Sequence, residues 1–250
     1  GEPYVPVNYD YRFHGPVLLR QALACSYNVV AVKVLEQIGI PALTSLTTRL
    51  GITSLGQADS SGLALTLGSG EVRLLELTAA YGGFATGGLR VRPYLIDEVT
   101  TADGTVLYQA LTPPRERVMD ERIAYLITDI LSDPKARAPA FGEGSALDAG
   151  LPAAVKTGTT TEWRDNWTVG YTTRYVVGVW VGNADNEPMR GISGVDGAAP
   201  IWRGVIRALH PTAPPGFSRP DGLVEIEVCA ESGQLPGAAC THRRRELFLQ

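Results

Sequence analysis

The sequence feature that most constrains the fold is a short apolar run, Ala153 to Val155, that leads directly into Lys156-Thr157-Gly158. A glycine and a proline just before this run supply the break at which a buried strand can begin. Alternation along a strand sends Thr157 and Thr159 to the same face, where two hydroxyls can bind one carboxylate near the Lys156 ammonium. Gly158 between them leaves room for the backbone of a substrate. The stretch therefore predicts a strand whose end forms a binding site.

A second polar feature lies far upstream, where Ser26 and Asn28 interrupt an otherwise apolar segment. Both side chains compete with the backbone for hydrogen bonds and are poor choices for a helix interior. They indicate a break between two helices, with both polar groups directed towards a common point. On its own the pattern also fits an ordinary helix cap, with Ser26 or Asn28 starting the helix that follows.

Together, Ser26-x-Asn28 and Lys156-Thr157-Gly158 resemble the second and third motifs of the penicillin-recognising acyl-transfer enzymes, a group that includes penicillin-binding proteins and class A β-lactamases. Most of the chain resembles the transpeptidase domain of class A, bifunctional penicillin-binding proteins, and most closely their penicillin-binding protein 1C subgroup. The further motifs that carry this resemblance are Asn8-Tyr-Asp10, Phe13-His-Gly-Pro16, Leu67–Val72, Arg164–Tyr171, Val177–Asn183, and the tail Val228–Gly233 with Cys240.

The resemblance implies an acyl-transfer site built from both motifs. Lys156 would supply positive charge, Ser26 would relay a proton to the leaving amine, and Asn28 would hydrogen-bond the substrate amide. The backbone N–H of Thr159 would form half of an oxyanion hole. The implied reaction is D,D-transpeptidation, which cross-links stem peptides of peptidoglycan through an acyl-enzyme, and β-lactams would acylate the same site. The implied substrate-binding residues are Thr157, Gly158, Thr159 and Thr160.

One motif of the family has no match in this chain. The family's nucleophile begins a Ser-x-x-Lys motif, and the only such spacing here, Ser132 to Lys135, contains Pro134 at the end of a predicted helix. We therefore interpret Ser132 as a helix-end residue. The resemblance then implies that the nucleophilic serine lies on a preceding segment, together with a glycosyltransferase domain and a membrane anchor. On its own, this chain is expected to be inactive.

Two other functions are compatible with the same fold. A non-catalytic module that binds peptidoglycan peptides or a partner protein would keep the fold and lack the serine. A β-lactamase would need an acid for deacylation between the two motifs, where no clear acidic motif occurs and Glu143 is the only loop acid that could serve. The tail, which resembles that of a wall-building enzyme, disfavours the β-lactamase. A Ser-x-x-Lys motif shortly upstream of Gly1 would distinguish the transpeptidase from the binding module.

The order of predicted elements indicates an α+β fold, because helices precede and follow a group of strands. The resemblance sharpens this to a serine β-lactamase/transpeptidase-like fold, an antiparallel sheet flanked by helices, with its N-terminal part missing. Predicted helices cover residues 16–23, 28–38, 41–51, 71–84, 119–131 and 197–210. Predicted strands cover 94–100, 105–108, 153–155, 166–172, 174–182 and 223–229. Residues 1–15 are predicted to be an extended segment, and residues 62–70 and 133–150 to be loops.

Composition limits the kind of protein this can be. The 250 residues are 44% hydrophobic and 19% charged, as in an ordinary globular protein, and the net charge of -4 gives no support for a nucleic-acid partner. No apolar run approaches the roughly 18 residues of a membrane span, and the N-terminus lacks the features of a signal peptide. We expect an export signal and anchor on the preceding segment, which would place the chain at the periplasmic, extracytoplasmic face of the inner membrane.

The composition changes near residue 212, which predicts two regions. We expect a transpeptidase domain over residues 1–212 and, over residues 213–250, an exit linker with a short strand that leads towards a further C-terminal module. Cys229 and Cys240 enclose a short loop, which is compatible with a disulfide in an oxidising compartment. Cys25 is expected to be a buried thiol. No cofactor or metal is expected, because Cys229, Cys240 and His242 supply only three ligands, at the wrong spacing for the usual zinc fingers.

Overall fold

The computed structural model describes residues 5–55, 58–111, 114–160 and 163–250. Residues 1–4 of the predicted extended segment lie outside the described residues. The α-helices are α1 (Leu19–Ala24), α2 (Asn28–Ile38), α3 (Ile40–Leu50), α4 (Leu74–Ala85), α5 (Glu121–Leu131), α6 (Pro134–Phe141) and α7 (Ala198–Leu209). The strands are β1 (Glu98–Thr100), β2 (Val106–Gln109), β3 (Ala154–Thr159), β4 (Asp165–Tyr171), β5 (Val176–Gly182), β6 (Leu223–Cys229) and β7 (Arg243–Leu249).

The centre of the fold is a three-stranded antiparallel sheet in the order β3-β4-β5. Lys156 pairs with Val169 across β3 and β4, and Val169 pairs with Gly178 across β4 and β5. The hairpins β1-β2 and β6-β7 form two separate sheets. Helices pack against both faces of the central sheet. The predicted α+β fold, an antiparallel sheet flanked by helices, is therefore confirmed.

The two faces of the central sheet are covered by different helices. On one face, the fully buried Trp202 of α7 belongs to a cluster that includes Val155. On the opposite face, Leu131 of α5 and residues of α4 pack around Ala154. Side chains alternate along a strand, so Lys156 lies on the face of α4 and α5, and Thr157 lies on the face of α7. The side chains of Lys156 and Thr157 therefore lie on opposite faces of the sheet.

The helix boundaries next to Ser26 and Ser132 agree with those predicted from the sequence. Helix α2 covers Asn28–Ile38 and ends at Gly39, as predicted. Helix α5 begins after Asp120, whose side chain accepts a hydrogen bond from the backbone N–H of Arg122. Ser132 caps the C-terminal end of α5, and its hydroxyl donates to the Asp129 carbonyl at 3.2 Å. The predicted helix-end role of Ser132 is confirmed.

The prediction of a loop over residues 133–150 is wrong for its first part, which forms α6. The carboxylate of Asp133 accepts hydrogen bonds from the N–H groups of Lys135 and Ala136, and Pro134 occupies the first turn. Proline stops the preceding helix and also starts the next one, because the first N–H groups of a helix have no partner within it. The predicted loop 62–70 also overlaps a 3₁₀-helix, Ala58–Leu67, which is broken at Gly62.

The C-terminal region folds as a hairpin. Strand β6 coincides with the predicted strand, and β7, which the sequence did not predict, pairs with it along its whole length. Three consecutive arginines at 243–245 hide the alternation of β7. Cys229 and Cys240 are free thiols in the structure, and a hydrogen bond between them lowers the pKa of Cys229 to about 7. The disulfide between them stays a prediction. The Cys240 thiol also donates to the His242 carbonyl at 3.1 Å.

Within the described ranges, no single helix is long and apolar enough to cross a membrane. By length and composition, α2 and α3 meet that requirement only as a pair, and the pair is bent by 96°. The same ranges contain no group of three or more His, Cys, Asp or Glu side chains that could hold a metal ion.

We predict that Gly170→Ala destabilises the protein by about 2 kcal/mol, in the range usual for overpacked cores. A methyl group at this position in β4 would lie 2.5 Å from Trp202 Cζ2 and 2.7 Å from the Ala154 carbonyl oxygen. Gly204→Ala in α7 is the matched control, because nothing lies within 4 Å of the added methyl group. Helix propensity should make that control more stable by up to about 1 kcal/mol. Urea unfolding measures both changes, and equal stabilities would contradict the packing described here.

Candidate active site

Helix α1 ends in a tight turn that presents Ser26. The N–H of Ser26 bonds the Leu23 carbonyl at 3.2 Å, and the N–H of Tyr27 bonds the Ala22 carbonyl at 2.9 Å. These are the two hydrogen bonds of a Schellman motif, in which the residue at the position of Ser26 is usually glycine. Ser26 has a φ of 60°, a left-handed conformation that costs an L-residue about 1–2 kcal/mol. The fold therefore accepts strain at the residue that carries the hydroxyl.

Lys156 lies in β3 and reaches across to this turn. Its ammonium Nζ donates to Ser26 Oγ at 2.6 Å and to the Thr157 carbonyl at 2.8 Å. Burial lowers the pKa of Lys156 from 10.5 to about 8, because desolvation disfavours the charged form. An amine with this pKa is charged at neutral pH and can still release its proton near pH 8. The pair can therefore provide both a positive charge and a route for a proton.

Strand β3 is at the edge of the three-stranded sheet, and its outer side carries part of the site. The N–H of Thr160 bonds the Asp165 carbonyl at 3.1 Å, so the even-numbered residues of β3 direct their backbone groups towards β4. The backbone groups of Thr157 and Thr159 therefore face the open edge, which agrees with the bond from Lys156 to the Thr157 carbonyl. An extended peptide can add to such an edge as a further strand. The Thr159 N–H would then point at its backbone.

The loop before α7 holds the hydroxyl of Thr159. The N–H of Gly194 donates to Thr159 Oγ1 at 2.9 Å, so this hydroxyl keeps its own proton for a ligand. Thr168 in β4 fixes the loop through a bond from its hydroxyl to the Gly194 carbonyl at 3.1 Å. A Cβ at Gly194 would lie 2.7 Å from the Gly158 carbonyl oxygen and 3.3 Å from Thr157 Cβ. Both threonines thus lie beside this loop, on one face, as predicted from alternation.

Asn28 begins α2, and its side chain bonds the N-terminal segment. Its amide nitrogen donates to the Val7 carbonyl at 3.0 Å. The adjacent Asn8, only 5% exposed, accepts a hydrogen bond from the Val29 N–H at 3.1 Å. Asn8 therefore caps α2 from outside the helix, since Tyr27 at the N-cap position makes no side-chain cap bond. Sequence reasoning missed this role, and its only signal was the Asn-Tyr-Asp motif.

The structure brings some of the predicted site residues together and separates others. Ser26, Lys156 and Thr157 are in direct contact, and Thr159 follows along the same edge strand. Thr160 serves mainly the turn to β4, because its hydroxyl bonds the Asp165 carboxylate at 3.1 Å. Cys229 and Cys240 belong to the separate C-terminal hairpin.

Cys25, which directly precedes Ser26 in the chain, has a structural role. Cys25 is 4% exposed, and its thiol donates to the Ala136 carbonyl at 3.2 Å. Burial raises the pKa of Cys25, which keeps the thiol protonated and unreactive. The predicted buried thiol is confirmed. Glu143, the candidate acid for a β-lactamase, is exposed in the loop after α6.

Two family models of known proteins match this chain, each over a different range of residues. Residues 2–199 match the family model described as penicillin binding protein transpeptidase domain, and residues 219–250 match the one described as penicillin-binding protein 1A, C-terminal domain. Penicillin-binding protein 1C of Escherichia coli strain K12 is 32% identical over 97% of this chain and 30% of that protein. The chain spans about a third of the length of the curated relatives it matches first.

Solved structures share the fold. The crystal structure of penicillin-binding protein 1A from Haemophilus influenzae is 25% identical, with a TM-score of 0.83 over 98% of this chain and 42% of that one. The PonA1 protein of Mycobacterium tuberculosis, in complex with penicillin V, is 23% identical, with a TM-score of 0.70 over 92% of this chain and 65% of that one. The second likeness concerns the fold alone.

We predict that Ser26→Gly gives a more stable protein than Ser26→Ala, by about 1 kcal/mol. Both substitutions remove the hydroxyl that Lys156 bonds, but only glycine adopts a φ near 60° without strain. The free energies of unfolding of the two variants in urea measure the difference. If Ser26→Ala is as stable as Ser26→Gly, the left-handed conformation of Ser26 is not strained.

We predict that Lys156 titrates with a midpoint near pH 8. The chain has only three lysines, so ¹³C-lysine labelling gives few signals, and Lys156→Arg identifies the right one. The folded-state pKa lies below the ordinary 10.5, so the unfolded chain binds more protons between these values. The free energy of unfolding should therefore rise from about pH 8 to pH 10.5. A midpoint near 10.5 would show that the ammonium is not buried.

Proposed function

Because this chain belongs to the transpeptidase family of penicillin-binding proteins, we propose that it forms the substrate-holding and proton-transferring part of a peptidoglycan D,D-transpeptidase. The observation that carries the proposal is the 2.6 Å contact between Lys156 Nζ and Ser26 Oγ beside the open edge of β3. We place the nucleophilic serine, in a Ser-x-x-Lys motif, on a preceding segment of a longer protein. The relatives, about three times longer than this chain, support that placement.

The proposed reaction is acyl transfer in two steps. The nucleophilic serine oxygen bonds the carbonyl carbon between two D-alanines of a stem peptide, and the C–N bond breaks to release D-alanine. An amine of a neighbouring stem peptide then attacks the acyl-enzyme, forms the cross-link and frees the serine. Dividing the amide exchange in this way replaces one difficult step by two easier ones. β-Lactams would stop the cycle at the acyl-enzyme.

Ser26 and Lys156 would manage the proton and the charge in this reaction. The Ser26 hydroxyl lies against a charged amine, so it can pass a proton to the leaving nitrogen while the ammonium replaces it from behind. The ammonium also favours a substrate carboxylate in the same groove. Lys156 lies at the edge of the sheet and has a pKa near 8, so at neutral pH it can both return a proton to Ser26 and attract a carboxylate.

The substrate would lie extended along β3. Its terminal carboxylate would bond the hydroxyls of Thr157 and Thr159, and its scissile carbonyl would accept the outward N–H of Thr159. Removal of one oxyanion-hole donor of this kind costs about 10²- to 10³-fold in rate. The amide of Asn28 would exchange its present bond to the Val7 carbonyl for the substrate and the lysine of the missing motif.

The whole protein would be exported and anchored. We propose that a membrane anchor and a glycosyltransferase domain precede this chain, and that the site faces the periplasm, where peptidoglycan is assembled. Peptidoglycan stem peptides, β-lactams and the preceding segment are then the partners. None of these needs a metal or an organic cofactor, since the chemistry uses only side chains.

Intact-mass measurement after incubation with a penicillin tests the proposal. The 250-residue chain should form no adduct, and the full-length protein should gain one penicillin on a serine upstream of Gly1. Lys156→Ala in the full-length protein should lower the rate of this acylation at least a hundredfold, because Ser26 loses its charged partner.

Three results would contradict the proposal, each in a different way. An adduct on Ser26 or Ser132 of the short chain would make it self-sufficient. A full-length protein without an upstream Ser-x-x-Lys motif, which binds stem peptides and forms no adduct, would be the non-catalytic binding module. Rapid release of the penicillin with turnover would indicate a β-lactamase.

A further inference from the structure

Arg20, on α1 ahead of Ser26, is the centre of a buried ionic cluster. Only 9% exposed, it contacts carboxylates from three separate parts of the chain. Its guanidinium lies 2.5 Å from Asp129 of α5, 3.5 Å from Asp133 before α6, and 2.7 Å from Glu246 of β7. Burial alone would lower the pKa of Arg20, but the bonds to Asp129 and Glu246 outweigh it and raise the pKa. Arg20 therefore stays positively charged and connects α1 to α5, to the residue before α6 and to β7.

The direction of α1 depends on such contacts. Helix α1 has only 6 residues, too few to be stable alone, so its neighbours fix its orientation. The cluster also reaches the other end of α1, because Asp133 caps α6 and the Ala136 carbonyl of α6 accepts the thiol proton of Cys25. Ser26 follows Cys25 directly. The position of the Ser26 hydroxyl is therefore tied to the position of the cluster.

The C-terminal hairpin lies against the beginning of α1. A Cβ at Gly233, in the loop between β6 and β7, would lie 3.0 Å from Leu18 Cδ2. Glu246 is 13% exposed, whereas Glu227 and Arg243, an ion pair on the same hairpin, are each 51% exposed. Exposed pairs of this kind contribute little to stability. Glu246 is thus the buried link between the hairpin and the helix that leads to Ser26.

We propose that Glu246 of the C-terminal hairpin is a positioning residue for the acylation site, which acts through Arg20 and α1 to hold the Ser26 hydroxyl against Lys156. The inference rests on the proposed function of Ser26 and Lys156. By this inference the hairpin takes part in catalysis, although the hairpin itself contributes no group to the reaction. The link joins residues 226 positions apart in the sequence.

Glu246→Gln is a clean test of this link. The substitution keeps the size of the side chain and removes its charge, and Arg20 keeps Asp129 and Asp133 as partners. The substitution also removes the charge that lies 2.7 Å from Arg244 Nε, but Arg244 is 34% exposed and can be solvated by water, so the variant should fold. Glu227→Gln is the matched control, since it makes the same chemical change on the exposed side of the same hairpin. Glu246→Asp, which keeps the charge on a shorter arm, should fall between wild type and Glu246→Gln.

The first readout is acylation of the full-length protein by a penicillin, separated into the dissociation constant and the rate constant of acylation. Glu246→Gln should lower the rate constant about tenfold, because small misplacements of catalytic groups have effects of this order or larger. The dissociation constant should change less than about twofold, and Glu227→Gln should behave as wild type. Unchanged acylation in Glu246→Gln, or equal losses in the two glutamine variants, would overturn the proposal.

The second readout does not require acylation. In the ¹³C-lysine spectrum, Glu246→Gln should shift the Lys156 signal and its titration midpoint, and Glu227→Gln should leave both unchanged. A lower melting temperature with an unchanged Lys156 titration would show that Glu246 only stabilises the fold. If the wild-type full-length protein is not acylated, the proposed function fails, and the Lys156 titration still decides the positioning role. If Glu246→Gln does not fold, Glu246→Asp decides by the same two readouts.

Discussion

The site depends on one interaction, the contact of a partly desolvated ammonium with a hydroxyl on another element. A cation removed from water must be hydrogen-bonded to be tolerated, and Lys156 donates two of its three N–H groups, to Ser26 and to the Thr157 carbonyl. Three features of the fold produce this contact between Lys156 and Ser26. An edge strand leaves the Thr157 carbonyl outside the hydrogen bonds of the sheet, and a Schellman turn aims Ser26. Leu23 of α1 packs in one cluster with Leu131 of α5 and Ala154 of β3, which sets the distance between α1 and the strand.

Much of this arrangement could be predicted from the sequence, because the decisive signals are local. The limits of α2 follow from Asn28 and Gly39, and the faces of β3 follow from alternation. Helix α6 was missed although Asp133 and Pro134 are a strong start signal, because the same proline also stops α5. What could not be predicted rests on contacts between residues far apart in the sequence, such as the cap that Asn8 provides for α2.

The C-terminal hairpin lies in a segment whose composition predicts a linker, and it contacts the first helix of the chain. Its composition predicts a linker towards a further module, and residues 219–250 match a family model of their own. Its buried glutamate, however, reaches back to the first helix, and Phe217 just before the hairpin packs edge-on against Tyr171 of β4 at 5.7 Å. Glu246 thus joins the hairpin to α1, and Phe217 joins the segment before the hairpin to the central sheet.

The open edge of β3 has a consequence for the behaviour of the protein in concentrated solution. An unpaired strand edge invites a second molecule to extend the sheet, which is a common start of aggregation. If the β3 strands of two copies met antiparallel, their Lys156 ammonium groups would come close together and repel each other. Charged lysines are one of the means by which proteins protect such edges. The cation that we propose for the acyl transfer thus also helps to keep this edge free of other copies of the protein.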